Sequence, residues 1–309
     1  MTYSSDWPRV AVIGAGAVGG YFGGMLARAG APVMMIGRAA FVEAVKRNGL
    51  FLDTLQIQET VRVEAATELS AARGAELILF CVKTTDTETA ARELAPFLDR
   101  QAIVLSLQNG VDNAEKIRVA SGIKALPAVV YVAASVPEPG RVKHVGRGDL
   151  VIGPRSERTE RLAAIFERAG MPCRISDNIE GELWTKLVMN CAANAISALG
   201  RVSYGEIAGS EDARKLVGNL VQEVLAVARA AGVRVPGMEN PEAGIAAALK
   251  LAAVMSHATS STAQDLQRGK RTEIDSLNGY VVRKGEMLGV SAPVNHALYT
   301  LVKLAEGRR

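Results

Sequence analysis

The sequence predicts an α/β fold: a doubly wound, mostly parallel sheet in the N-terminal part, followed by an all-α C-terminal domain. Three observations carry this expectation. Short aliphatic runs alternate with helical spacing through the first half of the chain. A glycine-rich turn joins the first such run to the first helix. From about Glu180 onward, long Ala/Leu/Val-rich stretches with helical spacing take over. A length of 309 residues fits two domains, expected at 1–177 and 178–309. Hydrophobic residues make up 49% and charged residues 22%, which supports a sizeable core and argues against disorder.

The first strand, Val10–Ile13, runs directly into Gly14-Ala15-Gly16-Ala17-Val18-Gly19 and then an apolar helix over residues 18–29. G-x-G-x-x-G between a buried strand and a helix is the setting of a dinucleotide site in a Rossmann-type domain. Gly14 permits the tight turn, Gly16 lets a pyrophosphate approach the backbone, and Gly19 lets helix and strand pack closely. The free N–H groups at the helix start would receive the pyrophosphate. Gly30-Ala31-Pro32 turns the chain into strand two, Val33–Ile36. An NAD site usually carries Asp or Glu at the end of this strand. Here the end reads Gly37-Arg38, and no acid follows until Glu43. An arginine there pairs with a 2′-phosphate, so NADP(H) is the expected cofactor. The alternative is a solvated loop cation.

Further along, residues 50–52 and 56–63 read as short extended pieces, 77–82 as a buried strand and 85–98 as a helix. Residues 102–107 form another strand. Residues 127–134 and 150–152 are β candidates separated by the turn Pro137-Glu138-Pro139-Gly140. Helices are expected at 182–199, 211–231, 241–268, 271–288 and 293–305.

Charge and composition narrow the function classes. A net charge of +4 suits an anionic cofactor and substrate, and no Lys/Arg block with interleaved aromatics argues for nucleic acid. No apolar run approaches the ~18 residues of a membrane span. Residues 1–7 lack the basic and apolar regions of a secretory leader, so a cytoplasmic protein is expected. The three cysteines, Cys81, Cys173 and Cys191, lie in apolar surroundings without C-x-x-C, and His144, His257 and His296 are scattered. Structural thiols and no metal site are the expectation.

Ligands of open α/β sheets bind at the carboxyl ends of the strands. Lys83 and Asn109 stand there, after the strands at 77–82 and 102–107. Lys83 suits a substrate carboxylate or the cofactor, and Asn109 the nicotinamide ribose or the substrate; ordinary loop capping is the alternative for both. In the helix at 182–199, Lys186, Asn190 and Asn194 recur every four residues along one face, over about 12 Å of axis. Most other positions are apolar. A buried stripe of one lysine and two asparagines requires partners or a purpose, and partial burial would lower the lysine pKa toward that of a general acid. A second cluster comprises Ser260, Ser261, Gln264, Asp265 and Thr272-Glu273-Ile274-Asp275. Glu273 there either serves a helix start or aims its carboxylate into a site.

Together these pieces resemble the ketopantoate reductase (2-dehydropantoate 2-reductase) family over nearly the whole chain. The resemblance rests on Gly14–Gly19, Lys83, Gln108-Asn109-Gly110, Glu182-Leu183-Trp184-Thr185-Lys186-Leu187 with Asn190 and Asn194, and the segment from Ser260 through Glu273 to Asn278-Gly279. It implies NADPH-dependent reduction of ketopantoate to pantoate, a step of pantothenate biosynthesis, with Lys186 as catalytic acid and Glu273 as the active-site glutamate. It further implies Asn109, Asn190, Asn194 and Ser261 as substrate ligands. Gly14, Ala15, Gly16, Ala17, Val18, Gly19, Arg38, Lys83 and Asn109 are implied as cofactor ligands. A sister enzyme acting on another 2-oxo acid, as a D-2-hydroxyacid dehydrogenase, is the nearest alternative. A non-catalytic NADP(H) sensor is a distant one, because idle buried polar groups cost about 1–3 kcal/mol each. The apolar surface of the helical domain is compatible with a homodimer or a monomer.

Overall fold

In the computed structural model, which describes residues 7–307, β1 (Val10–Ile13) is hydrogen-bonded on both sides to parallel strands. Residues 1–6, on which the expectation about a leader rests, and residues 308–309 lie outside the described residues. The neighbours of β1 are β2 (Val33–Ile36) and, on the other side, the strand Leu77–Phe80. Every residue of β1 is buried, as a parallel strand covered on both faces requires.

The chain forms two compact units. In the first, Met1–Gln108 with Asp112–Ile179, the further strands are β3 (Leu50–Asp53), β4 (Gln58–Val61), β5 (Glu64–Ala66), β6 (Leu77–Phe80), β7 (Ile103–Ser106), β8 (Leu126–Ser135), β9 (Arg141–Ile152) and β10 (Cys173–Ile175). Their order is β4-β3-β9-β8-β7-β6-β1-β2-β5, with β10 beside β9. The helices are α1 (Ala17–Arg28), α2 (Ala39–Asn48), α3 (Thr87–Leu94), α4 (Asn113–Ser121) and α5 (Glu157–Arg168). Alternate strand residues point to opposite faces. Val10 and Val12 join Phe22, Leu26 and Phe166 in one core, while Ala11 and Ile13 join Ala91, Leu94 and Ile117 in another. The sheet is therefore doubly wound, as expected.

Two pairings depart from parallel: β3 with β4, and β8 with β9. Strand β9 begins at Arg141, well before the residues 150–152 expected from sequence. Its pairing with β8 shifts register twice, and Arg147 (φ 57°) and Gly148 (φ 129°) interrupt the alternation that would have revealed it.

The second unit, Asn109–Val111 with Glu180–Arg309, is helical. It contains α6 (Ile179–Gly200), whose first residue clusters with the first unit, then α7 (Tyr204–Gly209), α8 (Glu211–Ala230), α9 (Pro241–Val254), α10 (Ser261–Gln267), α11 (Asn278–Leu288) and α12 (Pro293–Gly307). Trp184, Leu187, Val188 and Cys191 of α6 pack with Val221, Val224 and Ala228 of α8 and with Val281 of α11. Val111 packs against this core, which explains why Asn109–Val111 belongs here despite its place in the chain. The single helix expected at 241–268 is two, because Ser260 caps a new helix by accepting from the Ala263 N–H at 3.0 Å. The helix expected at 271–288 starts only at Asn278, after a 3₁₀ turn at Ile274–Ser276. No helix among the described residues is long and apolar enough to cross a membrane.

Candidate active site

The carboxyl ends of β1, β2, β6 and β7 lie side by side, since Ile13 pairs with Ile36 and Phe80, and Phe80 with Ser106. This rim carries the glycine loop, Arg38 and Lys83. Gly14 adopts φ 95°, and a Cβ there would stand 2.8 Å from the backbone of Cys81 and Val82. A Cβ on Gly19 would strike the Gly14 carbonyl and the Val12 side chain. At Gly16, which is exposed and caps α1, a Cβ would meet nothing within 4 Å. The N–H groups of Ala17, Val18 and Gly19 precede the first helical bond, Gly20 N–H to Gly16 O at 2.8 Å. The Gly14 and Ala15 N–H groups are spent on the Ile36 carbonyl, which fixes the loop to β2. Unspent donors at a helix start, beside an exposed Gly16, fit a pyrophosphate.

Arg38 is exposed at the start of α2, and its guanidinium makes no hydrogen bond or ion pair among the described residues. That suits a phosphate on the adenosine ribose. Lys83 is half-buried and precedes the 3₁₀ turn Thr84–Asp86. Gln108 has a role that sequence reasoning missed. It is buried, its Nε2 donates to the Val82 carbonyl at 3.0 Å and to Thr87 at 2.7 Å, and its Oε1 accepts from Ser106 at 2.9 Å. The glutamine of Gln108-Asn109-Gly110 thus ties the ends of β6 and β7 together.

In the second unit, residues far apart in sequence form one hydrogen-bonded chain. Lys186 Nζ donates to Asn109 Oδ1 at 2.9 Å, and Asn109 Nδ2 donates to Glu273 Oε2 at 2.9 Å. All three are half-buried. Glu273 precedes the 3₁₀ turn but its side chain makes no cap bond, so its carboxylate serves the chain of polar groups rather than the turn. Asp275, two residues on, points elsewhere: it accepts from Tyr299 at 2.9 Å and Lys303 at 3.0 Å of α12. Burial works against the Asp275 charge, but the bonds from Lys303 and Tyr299 outweigh it and hold the carboxyl below its usual range.

One turn beyond Lys186, Asn190 is half-buried and makes no side-chain hydrogen bond among the described residues. Asn194 is 3% exposed, and its Oδ1 accepts from the Tyr204 hydroxyl at 3.0 Å. Ser261 is exposed at the first position of α10, whereas neighbouring Ser260 is fully buried and donates to the Asn194 carbonyl at 2.9 Å. Lys186, Asn109 and Glu273 are therefore directly linked. Asn190 continues their stripe, and Asn194 and Ser261 lie at its far end. The glycine loop, Arg38 and Lys83 belong to the first unit.

Burial raises the thiol pKa of Cys81 and Cys191, and raises that of Cys173 to about 12, so all three stay protonated. His144 is buried in the first unit, stacked on Tyr21 with ring centroids 4.4 Å apart. No cluster of metal-ligating side chains occurs among the described residues.

Fold and site define a nicotinamide-dependent oxidoreductase. The chain belongs to the ketopantoate reductase family: the description "Ketopantoate reductase PanE/ApbA" matches residues 10–157 and its C-terminal counterpart residues 178–306. A 2-dehydropantoate 2-reductase of Pyrococcus horikoshii is 32% identical, covering 96% of this chain and 97% of the relative. The crystal structure of a PanE/ApbA family ketopantoate reductase from Ralstonia eutropha JMP134 is 48% identical, with a TM-score of 0.92 over 97% of this chain and 99% of that one. A D-mandelate dehydrogenase, solved with NADH and anilino(oxo)acetate, is 25% identical with a TM-score of 0.89, covering 97% of this chain and 98% of that one.

Proposed function

We propose that this enzyme reduces ketopantoate to pantoate with NADPH, in the cytoplasm and as a step of pantothenate biosynthesis. The observation that carries the reading is the hydrogen-bonded chain Lys186–Asn109–Glu273, with the unpartnered amide of Asn190 one turn along the same helix. Family membership and the 2-dehydropantoate 2-reductase relatives support the substrate. In this reading residues 1–177 form the cofactor domain and 178–309 the substrate domain.

The cofactor, when bound, supplies the hydride that reduces the C2 carbonyl carbon. The N–H groups of Ala17, Val18 and Gly19, left over by the loop's own bonds, would hold its pyrophosphate, Arg38 its 2′-phosphate, and Lys83 and Asn109 its nicotinamide end. Lys186 donates a hydrogen bond to the C2 oxygen and passes its proton there as negative charge develops. Asn109 holds Nζ in place, so the ammonium is aimed before substrate arrives. Asn190, Asn194 and Ser261 bind the carboxylate and hydroxyl oxygens, and Glu273 accepts from the 4-hydroxyl. The substrate is a small 2-oxo acid. The reading calls for no nucleic-acid or membrane partner and is compatible with a monomer or a homodimer.

The test is NADPH oxidation with ketopantoate, beside a panel of simple 2-oxo acids and an NADH control. Turnover restricted to ketopantoate with NADPH is the expected result; turnover only on other 2-oxo acids refutes it. The likeness to D-mandelate dehydrogenase favours that second reading, a reductase of an aromatic 2-oxo acid. Glu273 argues against it, because a 2-oxo acid without a 4-hydroxyl offers this carboxylate no donor.

A further inference from the structure

We propose that Tyr204 is a positioning residue that sets which end of the Asn194 amide faces the substrate; the proposal rests on the reading of Asn194 as a substrate ligand. An asparagine amide presents a donor at one end and an acceptor at the other, and nothing in its shape distinguishes the two. In this structure Tyr204 occupies one of those two ends. Its hydroxyl donates to Asn194 Oδ1 at 3.0 Å, leaving Nδ2 without a protein partner among the described residues. The outward end of Asn194 is therefore a hydrogen-bond donor, matched to a carboxylate or hydroxyl oxygen and mismatched to a donor group.

The surroundings hold both partners still. Ser203 and Glu206 form a capping box at the start of α7: Ser203 N–H donates to Glu206 Oε2 at 2.8 Å, and Ser203 Oγ accepts from Glu206 N–H at 3.3 Å. The N–H groups of Tyr204 and Gly205 donate to the carbonyls of Ala258 and Ser256, both at 2.9 Å. A side chain on Gly205 would contact Ser256 at 2.9 Å, so the first turn of α7 lies directly on the loop before α10. On the other side, the buried Ser260 hydroxyl donates to the Asn194 carbonyl at 2.9 Å, and Ser197 Oγ donates to the Val202 carbonyl at 2.7 Å. The backbone of Asn194 and the ring of Tyr204 are thus fixed independently, and the hydroxyl–amide bond links them. Burial raises the phenol pKa to about 12, so the hydroxyl keeps the proton that it donates to Asn194 Oδ1 across the physiological range.

The experiment is steady-state kinetics of the full-length enzyme with NADPH and ketopantoate for Tyr204→Phe, Asn194→Ala and the double variant. Tyr204→Phe should raise KM for ketopantoate about five- to tenfold, with kcat and the KM for NADPH nearly unchanged. It should add nothing in the Asn194→Ala background, because the hydroxyl acts through that amide. An unchanged KM in Tyr204→Phe, with Asn194→Ala impaired, overturns the positioning role. An unchanged KM in Asn194→Ala instead overturns the underlying assignment of Asn194. Should Tyr204→Phe fold poorly by thermal melting, Asn194→Asp decides. It keeps the acceptor for Tyr204 but turns the outward donor into an acceptor, and its ketopantoate KM should rise more than tenfold. A wild-type KM in that variant also overturns the proposal.

Discussion

The glycine loop of the first unit and the lysine helix of the second build their sites from different parts of the peptide. The loop uses the backbone of consecutive residues, Gly14 to Gly19, and its side chains matter chiefly by being absent. The lysine helix uses side-chain termini brought from positions 77 and 164 residues apart, each fixed by a hydrogen bond to the next. A backbone site fails when atoms are added, because the added atoms displace main chain. A side-chain site fails when functional groups are removed and the fold survives. The two units should accordingly respond to opposite kinds of substitution.

The largest effect is expected from adding atoms. Gly19→Val places branched carbons against the Gly14 carbonyl and Val12, and should abolish NADPH binding and lower the melting temperature, measured by fluorescence titration and calorimetry. Wild-type affinity would break the comparison. Next comes removal of the acid: Lys186→Ala should lower kcat by about 10²–10⁴-fold with NADPH affinity and melting temperature preserved. A variant with near-normal turnover would take Lys186 out of the mechanism.

Arg38 lies between these cases: in the proposed reading it adds a side-chain contact to the backbone-made site. Its guanidinium has no protein partner among the described residues, so Arg38→Asp should cost binding and little stability. The KM for NADPH should rise roughly 10- to 100-fold while that for NADH moves little, since a charge-assisted bond is worth about 1.5–3 kcal/mol. Equal losses for both cofactors would sink the 2′-phosphate assignment.

The smallest effect is expected at the clamp that holds Asp275 and Glu306, away from Glu273. Thr272 N–H and Oγ1 both donate to Glu306 of α12, at 2.7 and 2.6 Å, and Lys303 reaches Glu306 at 2.9 Å and Asp275 at 3.0 Å. Burial raises the Glu306 pKa, but bonds from Thr272 and Lys303 more than compensate, so both Asp275 and Glu306 titrate below their usual values. Carboxyls depressed in the folded state contribute stability that is complete above the unfolded values near pH 4 and lost as pH falls through the folded ones. Glu306→Gln should therefore lower the melting temperature by a few degrees at neutral pH and flatten its decline below about pH 4. An acid-side decline identical to wild type would show that the clamp is idle.

Much of this was legible in the sequence, and the gaps have physical causes. Strands β1, β2, β6 and β7 are short apolar runs buried on both faces, and local composition suffices to find them. The stripe Lys186-Asn190-Asn194 follows from helical period alone. What escaped depends on contacts distant in sequence. Strand β9 mixes inward Val142 and His144 with Arg, Lys and Gly, and is held by β3 and β8, including an Arg141–Asp53 ion pair at 2.7 Å. The break between α9 and α10 turns on Ser260, whose hydroxyl bonds to α6 as well as capping its own helix. Gln108 stands in a motif but its role does not show there, and Tyr204 belongs to no motif; their importance lies in partners 26 and 10 residues away.

The grouping of Asn109–Val111 with the helical unit has a consequence for dissecting the gene. The chain crosses to that unit once, for three residues, long before it settles there at Glu180. A fragment beginning at residue 178 would carry Lys186 and Glu273 but not the amide that joins them. Separately expressed halves would each be chemically incomplete, and mixing them would restore the polar chain only if the N-terminal fragment delivered its Asn109 strap. The order of residues along the polypeptide thus makes the Lys186–Asn109–Glu273 chain indivisible, although the polypeptide folds into two compact units.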